Sequence, residues 1–120
     1  MNAEKQYIDF YKEVKGTIAE RSSQEMNTCR EAALHTFATQ GFPLPKVERY
    51  RYAKVEADFS PDYGIALTPI NGPLPPHCFR IAEAIPYART LYNKVADTTD
   101  SIVALNTMLC VDTLVVHVPK

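Results

Sequence analysis

His77 and Cys78 are the only adjacent pair of side chains in the chain that could both ligate a metal. A bound metal wants about four donors at suitable spacing. Cys29, His35, Cys110 and His117 could join that pair only through the fold. Cys29 and His35 stand six residues apart, which puts them on different faces of a helix. The three cysteines are odd in number, widely spaced and without a C-x-x-C pair, the usage of a chain kept in a reducing compartment. Cys29, Cys78 and Cys110 are therefore read as packing or surface residues; a transient metal or persulfide role is the alternative. No G-x-S-x-G occurs, no nucleophile–base arrangement is recognisable at Cys29, Cys78 or Cys110, and the four glycines are scattered singly, so neither a nucleophile elbow nor a phosphate loop is present. The expectation is a non-enzymatic chain with no catalytic, cofactor or metal residues to name.

A second pattern interleaves basic and aromatic side chains: Lys46, Arg49, Arg51 and Lys54 with Tyr50 and Tyr52. Such a pattern can stack nucleic-acid bases. Glu48, Glu56 and Asp58 dilute it, and 13 basic against 14 acidic residues give a net charge of −1, where a nucleic-acid or anionic-membrane binder needs a basic excess. A solvated face with packed tyrosines is the expectation, with Glu48 an ion-pair partner, Asp58 a turn residue and His35 a histidine at the core boundary.

The elements that must carry these residues follow from periodicity and punctuation. Asn2 can cap a first helix reaching about Arg21, with Ala3, Tyr7, Phe10, Tyr11, Val14 and Ile18 on one stripe. Ser22 with Glu25 is a capping-box pattern that predicts the start of a second helix, whose apolar face is Met26, Cys29, Ala33, Leu34 and Phe37. Gly41 is the expected left-handed residue past its end, Phe42 can fold back on Phe37, and Pro43 forbids continuation. The short connection predicts an antiparallel hairpin. Tyr52, Val55 and Phe59 predict a short helix stopped by Pro61, followed by a turn over Ser60–Gly64.

Pro61, Pro69, Pro73, Pro75 and Pro76 predict an extended segment, lying on the surface or serving as a linker. Cys78–Ile81 reads as a short strand. Pro86 opens a helix with Ala88, Leu91, Tyr92 and Val95 on one face. Asp97–Asp100 is a break, and Ile102, Leu105 and Leu109 mark another short helix. Leu114–Val118 is nearly continuous and β-branched, as in a strand buried on both faces. It has no sequential neighbour to pair with, so self-association through this strand is one expectation. The fold class is α+β over a single domain, 1–120: a helical hairpin at 1–41, a motif segment at 42–60, a proline-rich segment at 61–76, and short strands and helices at 77–120. No apolar run approaches the ~20 residues of a membrane helix, and the opening residues lack a signal-peptide core, which predicts a cytoplasmic protein without a membrane partner.

Two stretches resemble a known family. Gly41-Phe42-Pro43, Glu48 and Tyr50-Arg51-Tyr52 resemble a motif near the N-terminus of the SufB/SufD family, the scaffold components of iron–sulfur cluster assembly. Asp100–Thr107, Asp112 and Val118-Pro119-Lys120 resemble that family's entry into its core, a right-handed parallel β-helix, with the match closer to the SufD member. The chain departs from the pattern in four places: Asp112-Thr113 replaces Asp-Gly, His117 stands where tyrosine is usual, Ala53 replaces a polar cap, and the stretch between Ile81 and Tyr92 is compressed. The resemblance implies an N-terminal domain whose last strand starts a parallel β-helix. It further implies a non-catalytic scaffold role, with a SufB-like paralogue and a SufC-like ATPase as partners. The family's cluster-assembly cysteine and histidine positions have no counterpart in this sequence.

Overall fold

The computed structural model describes residues 3–43, 54–67, 73–84, 86–111 and 113–119. Asn2, most of the basic–aromatic motif (Lys46, Glu48, Arg49, Tyr50, Arg51, Tyr52), Pro69 and Asp112 lie outside them. The elements in order are α1 (Glu4–Arg21), α2 (Gln24–Gln40), α3 (Val55–Phe59), β1 (Cys78–Arg80), a 3₁₀ turn (Ile81–Glu83), α4 (Pro86–Thr90), α5 (Ser101–Leu109) and β2 (Leu114–Val116). The class is α+β, with an N-terminal helical pair, short helices and a two-stranded antiparallel sheet.

The first helix follows its stripe. Tyr7, Tyr11 and Ile18 are buried, one face of a 3.6-residue period. Ala3 occupies the cap position with no side-chain cap bond. The second helix starts one residue later than the capping box predicts. Ser23, with extended backbone, receives the Met26 N–H on its hydroxyl. Ser22 is held elsewhere, its Oγ donating to Val111 O at 2.5 Å. The pairing is antiparallel. Glu4 reaches Phe42, Tyr11 reaches Glu31 and Asn27 reaches Ala19, so residue numbers fall on one helix as they rise on the other.

The helix stop works as the spacing predicts, with a difference in backbone. Gly41 N–H bonds Phe37 O at 2.8 Å, and Phe42 packs edge-on against Phe37 with ring centroids 5.1 Å apart. Gly41 has φ 68° and ψ −169°, not the left-handed helical well but a mirror-extended region open in practice only to glycine. A Cβ there would sit 2.5 Å from Glu4 Oε1, the atom that accepts the Phe42 N–H.

The core gathers Tyr7, Tyr11, Ile18, Ala33, Phe37, Phe42, Ala104, Leu105 and Met108, with Val55, Phe59, Ile65 and Leu67 packed against it. Phe42 stacks on Phe59 at 4.9 Å and meets Tyr7 edge-on at 5.7 Å. The carbonyls at the end of α3 are taken by α1: Tyr7 Oη and Gln6 Nε2 both donate to Phe59 O. Ile65 and Leu67, two apart, are half-buried against this core, with Ala66 between them exposed.

Asp100 caps α5, accepting the Ile102 and Val103 N–H groups. This helix packs chiefly on α2. Its buried positions are Ser101, Ala104, Leu105, Thr107 and Met108, while the expected Ile102 and Leu109 are half-buried.

Two expectations are overturned. The helix from Pro86 ends at Thr90, and Leu91 and Val95 are exposed rather than packed on a face; Asn93 turns the chain with φ 59°. The strand expected to be buried on both faces and unpaired is neither. It pairs antiparallel with β1, in the register Cys78↔Val116, Phe79↔Val115 and Arg80↔Leu114. Leu114 is 56%, Val116 60% and Val118 76% exposed. Its partner lies 36 residues away, beyond what local pattern can reveal. The described strands form no parallel β-helix turn.

Candidate functional site

The most constrained polar centre is built on Arg30, which sequence reasoning passed over. Its side chain is 2% exposed. Nη1 donates to the carbonyls of Thr107, Met108 and Cys110 at 3.2, 3.3 and 2.6 Å. Nη2 donates to Ser22 Oγ at 2.7 Å and Nε to Asn27 Oδ1 at 3.1 Å. Those carbonyls lie at and just past the C-terminal end of α5, where unpaired acceptors and the negative end of the helix dipole favour a cation. Burial pulls the guanidinium below its ordinary value, while the surrounding Tyr92, Cys110, Tyr11 and Cys29 act in the opposite direction. Among the described residues no carboxylate pairs with it. Chemically this is a clamp joining α1, α2 and α5, not a reacting group. A signal did exist: Met26, Arg30, Ala33 and Phe37 follow helical spacing and are the buried residues of α2.

Beside the clamp lies a cavity of about 360 Å³, lined among others by Thr28, Cys29, Ala33, Tyr92, Lys94 and Thr107. Asn93 Nδ2 reaches Thr107 Oγ1 at 3.4 Å. Burial raises the Tyr92 phenol above its usual value, and nearby Cys110 adds to the shift. Cys29 lines this cavity, with its Sγ donating to Glu25 O at 3.5 Å.

The other candidate ligands are scattered. Cys78 opens β1 and Cys110 ends α5. His35, expected at the core boundary, is exposed because α2 buries residues 33 and 37 and turns 35 outward. His77, with φ 67°, and His117 do meet: His117 N donates to His77 O at 2.9 Å at one end of the β ribbon. Among the described residues no three His, Cys, Asp or Glu side chains converge. Asp58, expected in a turn, lies within α3 and its carbonyl accepts from Tyr63 Oη. Of the basic–aromatic set only Lys54 is described, and it is exposed. Among the described residues no helix is long and apolar enough to cross a membrane.

The second surface of note is the β ribbon. A groove of about 300 Å³ runs along β2, lined by Ile81, Tyr87, Leu91, Leu114, Val116 and His117 among others. Tyr87, Leu91, Leu114 and Val116 are exposed, so the groove offers apolar surface, and its lining holds no Asp, Glu, Lys or Arg. Exposed apolar surface of this kind is a place where a partner or ligand can be bound.

Comparison with known families agrees. The model of the SufBD protein N-terminal region matches residues 1–81 and 79–120, two segments that meet at β1 and the turn after it. No curated protein and no solved structure matches the chain. The family model thus spans both the helical pair and the ribbon, and this protein belongs to the SufB/SufD family, as its N-terminal region.

Proposed function

We propose that the chain is a non-catalytic assembly module of SUF-type iron–sulfur cluster biogenesis, a SufD-like scaffold domain acting in the cytoplasm. The observation that carries this reading is the family match over 1–81 and 79–120. Two structural features support it. The polar centre around Arg30 spends its donors on backbone carbonyls, Ser22 and Asn27 within the fold, which suits a scaffold. The exposed apolar groove beside β2 suits protein contact. The partners are a SufB-like paralogue and a SufC-like ATPase, and the iron–sulfur cluster is cargo of the assembly rather than a group held here. Nucleic acid is not a partner, since a net charge of −1 supplies no phosphate-binding excess. Co-expression of the tagged chain with both SUF partners, followed by affinity capture, tests the proposal. Co-elution of at least one partner is expected; recovery of neither would refute the docking role.

A further inference from the structure

We infer that β2 pairs with β2 of a second copy of this chain, giving a weak twofold dimer built on a four-stranded sheet. The hydrogen-bond pattern of the ribbon comes first. Ile81 N bonds Thr113 O and His117 N bonds His77 O, so residues 113, 115 and 117 direct their backbone groups toward β1. Antiparallel strands alternate, so Leu114, Val116 and Val118 direct theirs outward. Among the described residues β2 has a strand on one side alone. Its outward edge is therefore a row of open donors and acceptors carried by three exposed aliphatic residues.

The two edges of the ribbon differ. The outward edge of β1 carries Arg80, follows Pro75 and Pro76, and runs straight into a 3₁₀ turn. Charge, proline and short length are the devices that keep an edge from pairing. Within Leu114–Val118 there is neither proline nor a carboxylate, lysine or arginine.

A second copy fits this edge because the run is its own complement. Antiparallel pairing about Val116 sets Val116 against Val116, Leu114 against Val118, and Val115 against His117. Every outward backbone group of the run then finds a partner, no two ionisable side chains within it stand opposite each other, and its three exposed aliphatic positions meet across the twofold. A closed twofold contact of this kind is the commonest form of homo-oligomer. Five residues a side is small beside the ~800 Å² per partner of a standard interface, so the dimer exchanges and depends on concentration.

Light scattering behind a sizing column, run over a concentration series, tests this. The mass should climb from 13.5 kDa toward twice that value. Leu114→Lys/Val118→Lys sets like charges opposite each other and should hold the chain monomeric throughout. Leu114→Lys/Val118→Glu loses the same apolar surface but sets opposite charges across the twofold, and should dimerise at concentrations where the double-lysine variant does not. All these side chains are exposed, and matching circular dichroism and melting curves at low concentration check that the fold is retained. A wild-type monomer at every concentration overturns the inference, as does identical behaviour of the two charged variants. If the wild type stays monomeric and the double-lysine variant loses capture of the SUF partners, the edge serves a different chain and self-pairing is refuted, while the scaffold reading survives.

Discussion

The helical knot and the β ribbon satisfy their polar groups in opposite ways. In the knot, even the end of α5 is closed from within: Arg30 covers three carbonyls, and Ser22 and Asn27 accept its remaining donors. The ends of α2 and α3 are treated alike, with Glu4, Gln6 and Tyr7 reaching across from α1. In the ribbon, one ladder is made and, among the described residues, no strand lies on the outward edge of β2, under side chains that water does not reward. A buried unpaired polar group costs about 1–3 kcal/mol, so the knot tolerates little change, while an exposed edge is cheap to alter and available for contact.

This contrast can be broken or sharpened by substitution. The largest effect is expected at Phe42, where three aromatic neighbours converge. Phe42→Ala should lower stability by about 3–5 kcal/mol in urea unfolding. Next comes Arg30→Ala, which strands the α5 carbonyls and Ser22 and should cost about 2–4 kcal/mol. Arg30→Lys should recover only part of that loss, since an ammonium lacks the planar fork. Gly41→Ala follows, at about 1–3 kcal/mol, from a backbone region closed to alanine and a Cβ against Glu4. The same denaturation curves check all four variants.

A pH titration separates the regions further. Burial, and then Glu31, raises the Tyr11 phenol above its ordinary value of 10.0. The folded state thus holds that proton more tightly than the unfolded chain. The contribution is whole below pH 10 and is lost as pH climbs through the folded value. Tyr11→Phe should flatten the alkaline loss of stability, followed by circular dichroism. The smallest effect is expected in the ribbon. Val116→Thr, measured at low concentration, should change stability by no more than about 0.5 kcal/mol. A loss as large as that from Arg30→Ala would mean that β2 belongs to the core after all.

Much of the knot was legible because its signals are local. The Tyr7–Tyr11–Ile18 stripe, the Gly41 stop and the Phe37–Phe42 contact each depend on residues within a few turns of one another. The Ser22 cap was misplaced by one residue because the serine is recruited by Val111 and Arg30, neither of which a local pattern includes. Arg30 itself was missed because a charge on an apolar stripe reads as an interruption until its acceptors, about 80 residues away, are known. A shorter but still non-local separation, Phe79 to Val115, hid the pairing of β1 with β2.

By itself, then, the order of residues determined where α1 and α2 run to within a residue or two, where α2 stops, which of their faces are greasy, and the family to which the chain belongs. The helices and their faces follow from periodicities and backbone preferences that act over a few residues, and the family from the match of its model to the chain. Only the tertiary structure decided that the last aliphatic run lies half in water beside Cys78–Arg80, and that a lone arginine closes the end of α5. Hydrogen bonds and burial between distant segments are set by how the elements meet in space, and no short window of sequence carries that information.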